Sequence, residues 1–261
     1  MLLYKAWIET RIRFLAGLAT TLIVCSYYLY AHSSLVAMWT HMLQDPKGPH
    51  FGWMRLAISD YNFYLWHYLY DNYLQQIWCL FAALFAFGGL IREKQDGTSL
   101  FSLGLPVSRR RWLYTRLLVA LLEGCALAVF SVLVIAIGSA VIHQTYSLSQ
   151  VLAHTALMVG IGFFAAALGN VFYTLFPSNY VSLILILAVI SAPYLLIQTY
   201  VQHMRSIGRS TWLSYVDFGY AMAGPWHLTW STVPWITILV MTVMTAILLR
   251  TAAVYGDHID Y

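Results

Sequence analysis

Six long apolar runs divide this chain, at about residues 14–31, 74–92, 112–142, 151–176, 180–201 and 233–250. Roughly 20 apolar residues wound into a helix match the hydrocarbon thickness of a bilayer. Lipid offers no partner for backbone polar groups, so each such run has to close its hydrogen bonds internally, as a helix. Composition agrees: 61% of the 261 residues are hydrophobic and 9% are charged, against roughly 25% charged in soluble domains. A water-soluble globule, a disordered chain and a nucleic-acid binder built on basic density are all excluded. The expected fold is all-α and polytopic, one transmembrane domain over residues 1–261 with six spans.

Local signals sharpen these runs. The first follows charged residues but is longer than a usual signal-peptide core, and no small-residue cleavage site follows it, so an uncleaved first span is expected. The third run exceeds what a crossing needs and has to tilt or protrude. Pro177-Ser178-Asn179 marks a tight turn between the fourth and fifth spans, and Pro193 should kink the fifth. Pro234 sits at the start of the last span, where its missing N–H costs nothing. Cys25, Cys79 and Cys125 all lie in apolar runs, which excludes a disulfide framework or a Cys-x-x-Cys metal site.

Orientation follows from the cations. With the N-terminus inside, ten of the 14 Lys and Arg fall on the cytoplasmic side (Lys5, Arg11, Arg13, Arg92, Lys94, Arg109, Arg110, Arg111, Arg116 and Arg250). Lys47, Arg55, Arg205 and Arg209 fall outside. That asymmetry puts both termini in the cytoplasm. Met1 to Arg13 mixes Leu2, Leu3, Trp7 and Ile8 with Lys5, Glu9, Arg11 and Arg13, and reads as an amphipathic helix on the inner leaflet leading into the first span, or as a basic tail. Two aromatic segments, 32–73 and 201–232, are expected outside as interfacial helical elements, the stretch Phe51 to Tyr73 lying in the headgroup region or packing on the spans, and Val216 to Pro225 is too short to cross.

The one substantial inner loop runs from Arg92 to Arg111. Gly97 permits a sharp turn, and Thr98 can N-cap a short helix that carries Ser99, Leu100, Phe101 and Leu103. Pro106 stops that helix, and Ser108 can cap the third span. Such a loop is either a docking knob for a soluble partner or a charged turn that anchors two spans. Glu93-x-x-x-Gly97-Thr98 followed by Leu105-Pro106-Val107-Ser108-Arg109 resembles the loop between spans two and three in permeases of ABC exporters of the ABC-two class, the type V exporter fold. The six-span layout, the amphipathic N-terminal helix and the outer segment before the last span resemble the same family.

That resemblance implies a transport role. The loop would carry a coupling helix that fits a cleft on a separate ABC ATPase, with two ATPase copies serving two permeases, the second a copy or a paralogue. ATP and Mg would be bound by the partner ATPase, with no cofactor in this chain. The absence of Gly-x-x-x-x-Gly-Lys-Ser/Thr fits that division, since the chain lacks the usual phosphate cradle. The implied setting is the bacterial cytoplasmic membrane, and the cargo an apolar or amphipathic peptide or drug. The alternative function is a membrane sensor or assembly subunit that signals through its ATPase without net transport.

Weaker signals lie within the spans. Glu123 is the one acid deep in an apolar run, where an acidic group costs about 3 kcal/mol on insertion scales. It reads either as a polar point of the translocation path or as a protonated structural residue, with Asn170 as a candidate partner. Gly162–Ala166 and Ala165–Gly169 are small-x-x-x-small pairs that allow close helix approach. Eight of the nine histidines fall near the outer side, but no His-x-x-x-His spacing occurs and no metal site is expected.

Overall fold

The computed structural model describes residues 2–44, 52–87, 108–176, 178, 180–189, 199–201, 211, 213 and 218–258. Among the described residues the regular elements are all helical, with no strand. Helix α1, Leu2–Gln44, is 43 residues long, about 65 Å at 1.5 Å per residue. After α2, Gly52–Ser59, a second long helix is built of three parts: α3 (Tyr61–Leu65), a π-helical turn π1 (Trp66–Leu74) and α4 (Gln75–Ala86). Helical backbone at Leu65, Trp66, Leu74 and Gln75 joins them without a break. Then come α5 (Arg109–Val141), α6 (Leu148–Leu175), α7 (Tyr180–Val189), α8 (Phe218–Ala223) and α9 (Trp235–His258).

Four of these helices are long and apolar enough to cross a membrane: α1, α5 over Arg111–Val141, α6, and α9 over Trp235–Tyr255. They contain the first, third, fourth and sixth expected spans. The second expected span is covered by α4 up to Phe87, and the fifth by α7 and residues 199–201. The remainder of both lies outside the described residues.

Close approaches fix the directions of the helices. A Cβ on Gly17 would stand 3.2 Å from the Phe81 ring, while Arg13 reaches Leu84 and Phe87, so α1 and α4 run antiparallel. Thr10 meets Glu123 and Leu29 lies over Gly138, so α1 and α5 run parallel. Trp78 lies against Gly162 and Ala83 against Gly169, which sets α4 and α6 parallel. Leu248 of α9 packs on the cluster of Ala83, Phe87, Leu168 and Tyr173. The second half of α9 therefore lies at the end of the bundle where α1 begins.

The small residues of α6 serve packing within the chain. A Cβ on Gly169 would come 2.9 Å from the Ala83 carbonyl oxygen, and one on Gly162 would come 2.7 Å from the Trp78 ring. Neither position has room for a side chain, which is how α4 and α6 come into backbone contact. At the far end α5 stops in a reversed turn. His143 adopts φ 54°, with His143 N donating to Ala140 O at 3.2 Å and Gln144 N to Ser139 O at 3.0 Å. This paired pattern satisfies the last carbonyls of a helix and needs a left-handed residue. The turn then reaches α6, where Asn62 Oδ1 accepts from the Ser147 N–H at 2.7 Å.

Two segments are placed more closely than the sequence places them. Residues 2–13 are helical, as the first turns of α1 leading into the first span, and α1 also continues through residues 32–44. Of the two readings of the aromatic segment, the structure from Tyr61 onward fits packing on the spans. Tyr64, Leu69 and Tyr70 are almost fully buried in the largest core cluster, with Trp39, Trp78 and Met222. Their hydroxyls find partners inside the bundle: Tyr61 with Ser139 Oγ at 2.8 Å, Tyr64 to Tyr28 O at 2.5 Å, and Tyr70 with Thr155 Oγ1 at 2.9 Å. Burying aromatic rings while pairing their polar tips is the pattern expected of Tyr in a core. The short element expected within Val216–Pro225 corresponds to α8, whose Ala221, Met222 and Ala223 are each 1% exposed.

Candidate functional site

At the end of the bundle where α1 begins, the stripe Lys5, Glu9, Thr10 and Arg13 recurs at helical spacing along one side of α1. This stripe faces protein. Lys5 Nζ lies 4.9 Å from the centre of the Trp112 ring. Arg116 Nη1 stands 2.6 Å from Glu9 Oε2, and Arg116 Nε donates to the Ala86 carbonyl at 3.3 Å. The Thr10 hydroxyl is hydrogen-bonded to Glu123 Oε1. Arg13 Nη1 donates to the carbonyls of Leu84 and Phe87 at 2.8 and 2.9 Å. Leu84 lies in the last turn of α4 and its carbonyl also accepts from the N–H of the C-cap residue Phe87 at 3.2 Å, so Arg13 acts as a side-chain cap on that helix end.

The opposite side of α1 is mostly apolar and uncovered: Leu3, Tyr4, Ile8, Ile12 and Leu15 are exposed, with Arg11 exposed among them. Lys5, Glu9 and Arg13 thus turn inward, while Arg11 shares the outer face with hydrocarbon. That arrangement suits a helix in lipid, where the charged side has to find partners in the protein. Arg116 and Glu123 are 5% and 3% exposed. Arg116 Nη2 and Glu123 Oε2 are buried without a hydrogen-bond partner, so the cluster keeps one donor and one acceptor unused.

The cluster brackets the stretch that joins α4 to α5. Its first edge is the Arg13 cap on Leu84 and Phe87. Its second edge is the start of α5, where Ser108 Oγ accepts from the Arg111 N–H at 3.3 Å, the N-cap that the sequence leads one to expect. Arg109 opens α5. The remaining expected loop residues, Glu93, Gly97, Thr98, Ser99, Leu100, Phe101, Leu103 and Pro106, lie outside the described residues. Glu123 is engaged by Thr10 of α1. Asn170 stands on α6, 4% exposed, its Oδ1 buried without a hydrogen-bond partner.

Sequence reasoning missed the Glu9–Arg116 pair, the Thr10–Glu123 bond and the Arg13 cap. One signal pointed their way: an acid within an apolar run needs a partner, and the other end of the chain carries a polar stripe at the right spacing. Among the described residues no group of three or more His, Cys, Asp and Glu could hold a metal ion. The cluster joins three helices by charge and hydrogen bonds, and the arrangement is mechanical in kind.

The family model for ABC-2 family transporter proteins matches residues 29–211. No curated protein and no solved structure matches the chain. The matched stretch takes in α4, α5, α6 and the loop from Glu93 to Arg109, and that family consists of membrane subunits without an ATPase motif of their own. With four helices able to cross a bilayer, this multi-pass membrane protein belongs to the ABC-2 transporter family.

Proposed function

We propose that the chain is the permease subunit of an ATP-driven exporter, and that the loop 88–107 is where a separate ABC ATPase moves it. In this reading Leu100, Phe101 and Leu103 form the apolar side of a short coupling helix. Glu93, Gly97, Thr98, Ser99 and Pro106 shape its turns, and Ser108 and Arg109 tie it to α5. Two permeases, identical or paralogous, pair with two ATPases that bind ATP and Mg. The cargo is an apolar or amphipathic molecule such as a peptide or drug, moved outward across a bacterial cytoplasmic membrane.

The observation that carries this reading is the bracing of the loop. Within the matched family stretch, both edges of the loop are locked to α1, by Arg13 on Leu84 and Phe87 and by Glu9 on Arg116. A push on the loop would therefore reach three helices together instead of bending one turn. Glu123 and Asn170 line the path in this account, as buried polar points inside the bundle.

The test is reconstitution of the complex with its ATPase in vesicles. The double variant Leu100→Asp/Phe101→Asp is expected to assemble and to lose ATP-dependent cargo movement, because charge cannot enter an apolar cleft without large cost. Normal ATP-driven transport by that variant would overturn the coupling assignment.

A further inference from the structure

At the opposite end of the bundle, the stretch after α8 is held by side chains that grip its backbone. Trp66 Nε1 donates to the carbonyls of Ala223 and Gly224 at 3.3 and 3.0 Å. Gln150 makes a reciprocal pair with Leu228, donating to its carbonyl at 3.0 Å and accepting from its N–H at 2.9 Å. His154 Nδ1 lies 2.7 Å from the Ala223 carbonyl. A carbonyl can only accept, so Nδ1 carries the hydrogen. In a neutral imidazole Nε2 is then a bare acceptor.

That acceptor has no protein partner. His154 is 2% exposed, and its Nε2 is buried without a hydrogen bond. Buried polar atoms in native structures are paired with protein or with ordered water. Beside His154 lies a cavity of about 10 Å³, lined among others by Asn62, Tyr70, Gln150, Val151 and Trp226. This is about the space of one water. The Asn62 and Gln150 side chains are already engaged with Ser147 and Leu228.

We propose that this cavity is a binding site for a single water, held by His154 Nε2 and completing the anchorage of the Ala223–Leu228 stretch to α6 and π1. A water donates to Nε2, which needs a donor and nothing larger. The Tyr70 hydroxyl hydrogen is already engaged by Val151 O or Thr155 Oγ1, so the water's second hydrogen goes to the Tyr70 oxygen, which still has a lone pair to accept it. A metal ion fits less well, since among the described residues no group of three or more ligand-type side chains gathers anywhere. The site also gives the π-helical turn a role. π-Helical segments mark places where a helix departs from regular geometry for a local purpose, and here Trp66 and Tyr70 of that turn face the held stretch and the cavity. The proposal stands apart from transport and does not depend on the ATPase.

The experiment is X-ray hydroxyl-radical footprinting of the full chain in nanodiscs, read by mass spectrometry. Bound water beside a buried ring yields local oxidation that burial alone would prevent. Tyr70 and Tyr64 are both nearly inaccessible, at 1% and 0% exposed, so they form a matched pair. Tyr70 is expected to oxidise several-fold faster than Tyr64. Val151→Ile fills the cavity with apolar volume and leaves His154 in place; it should bring Tyr70 down to the rate of Tyr64. His154→Phe should do the same by removing the acceptor, and Val151→Ile decides alone if that variant does not fold. Equal oxidation of the two tyrosines in the native chain, or a Tyr70 rate unchanged by Val151→Ile, would overturn the proposal.

Discussion

Thr10 and Glu123, 113 positions apart in sequence, share the bond that accounts for an acid inside an apolar helix. A buried carboxyl that loses its donor bears an uncompensated desolvation cost of about 1–3 kcal/mol. Thr10→Val should therefore destabilise the chain by about that amount, measured as a fall in thermal midpoint in detergent. Glu123→Gln in the Thr10→Val background should recover part of the loss, since an amide is less costly to bury than a carboxylate. A Thr10→Val variant as stable as the native chain would contradict the bond's role. The Glu9–Arg116 pair follows a related logic. Removing one partner of a buried pair strands the other charge, whereas replacing both with apolar residues can be nearly neutral.

At the scale of elements, the spans are legible in the sequence because lipid imposes a length and a polarity on each one. The apolar runs that became α1, α5, α6 and α9 stand out, as do the Ser108 cap and the small residues of α6. Less legible is which face of a helix meets what. Lys5, Glu9 and Arg13 define a polar stripe, but periodicity records only that two faces differ, and here the charged face meets protein. Nor does local sequence reveal that Tyr61 to Leu74 continues into α4. Its aromatic and polar residues interleave, and the partners that bury Tyr64 and Tyr70 come from α1 and α6. Two predictions belong at this scale. Gly169→Val would drive a side chain into the Ala83 backbone and should cost about 1–3 kcal/mol as an overpacked contact, whereas Gly160, with nothing within 4 Å of its Cβ position, should accept Ala without loss. His143→Gly relieves the left-handed residue that ends α5 and should gain about 0.4–1 kcal/mol, seen as a raised unfolding midpoint; a lowered one would contradict the capping geometry.

For the whole molecule, the charged residues that a membrane chain retains are few, and their placement organises the account. At one end Glu9, Arg13, Arg116 and Glu123 bind α1 to α4 and α5 around the loop. At the other, aromatic and amide side chains pin the stretch after α8 to α6 and the π-helical turn. The central claim is that the braced loop meets an ATPase, and contact in the native membrane tests it most directly. A photo-crosslinking amino acid placed at Leu100, at Phe101 and, as a control, at Trp230, which is 81% exposed near the other end, would be activated in membranes and its products identified by mass spectrometry. The account predicts a crosslink to an ABC ATPase subunit from positions 100 and 101 and none from 230. No ATPase crosslink from the loop, or an equal yield from position 230, would contradict it.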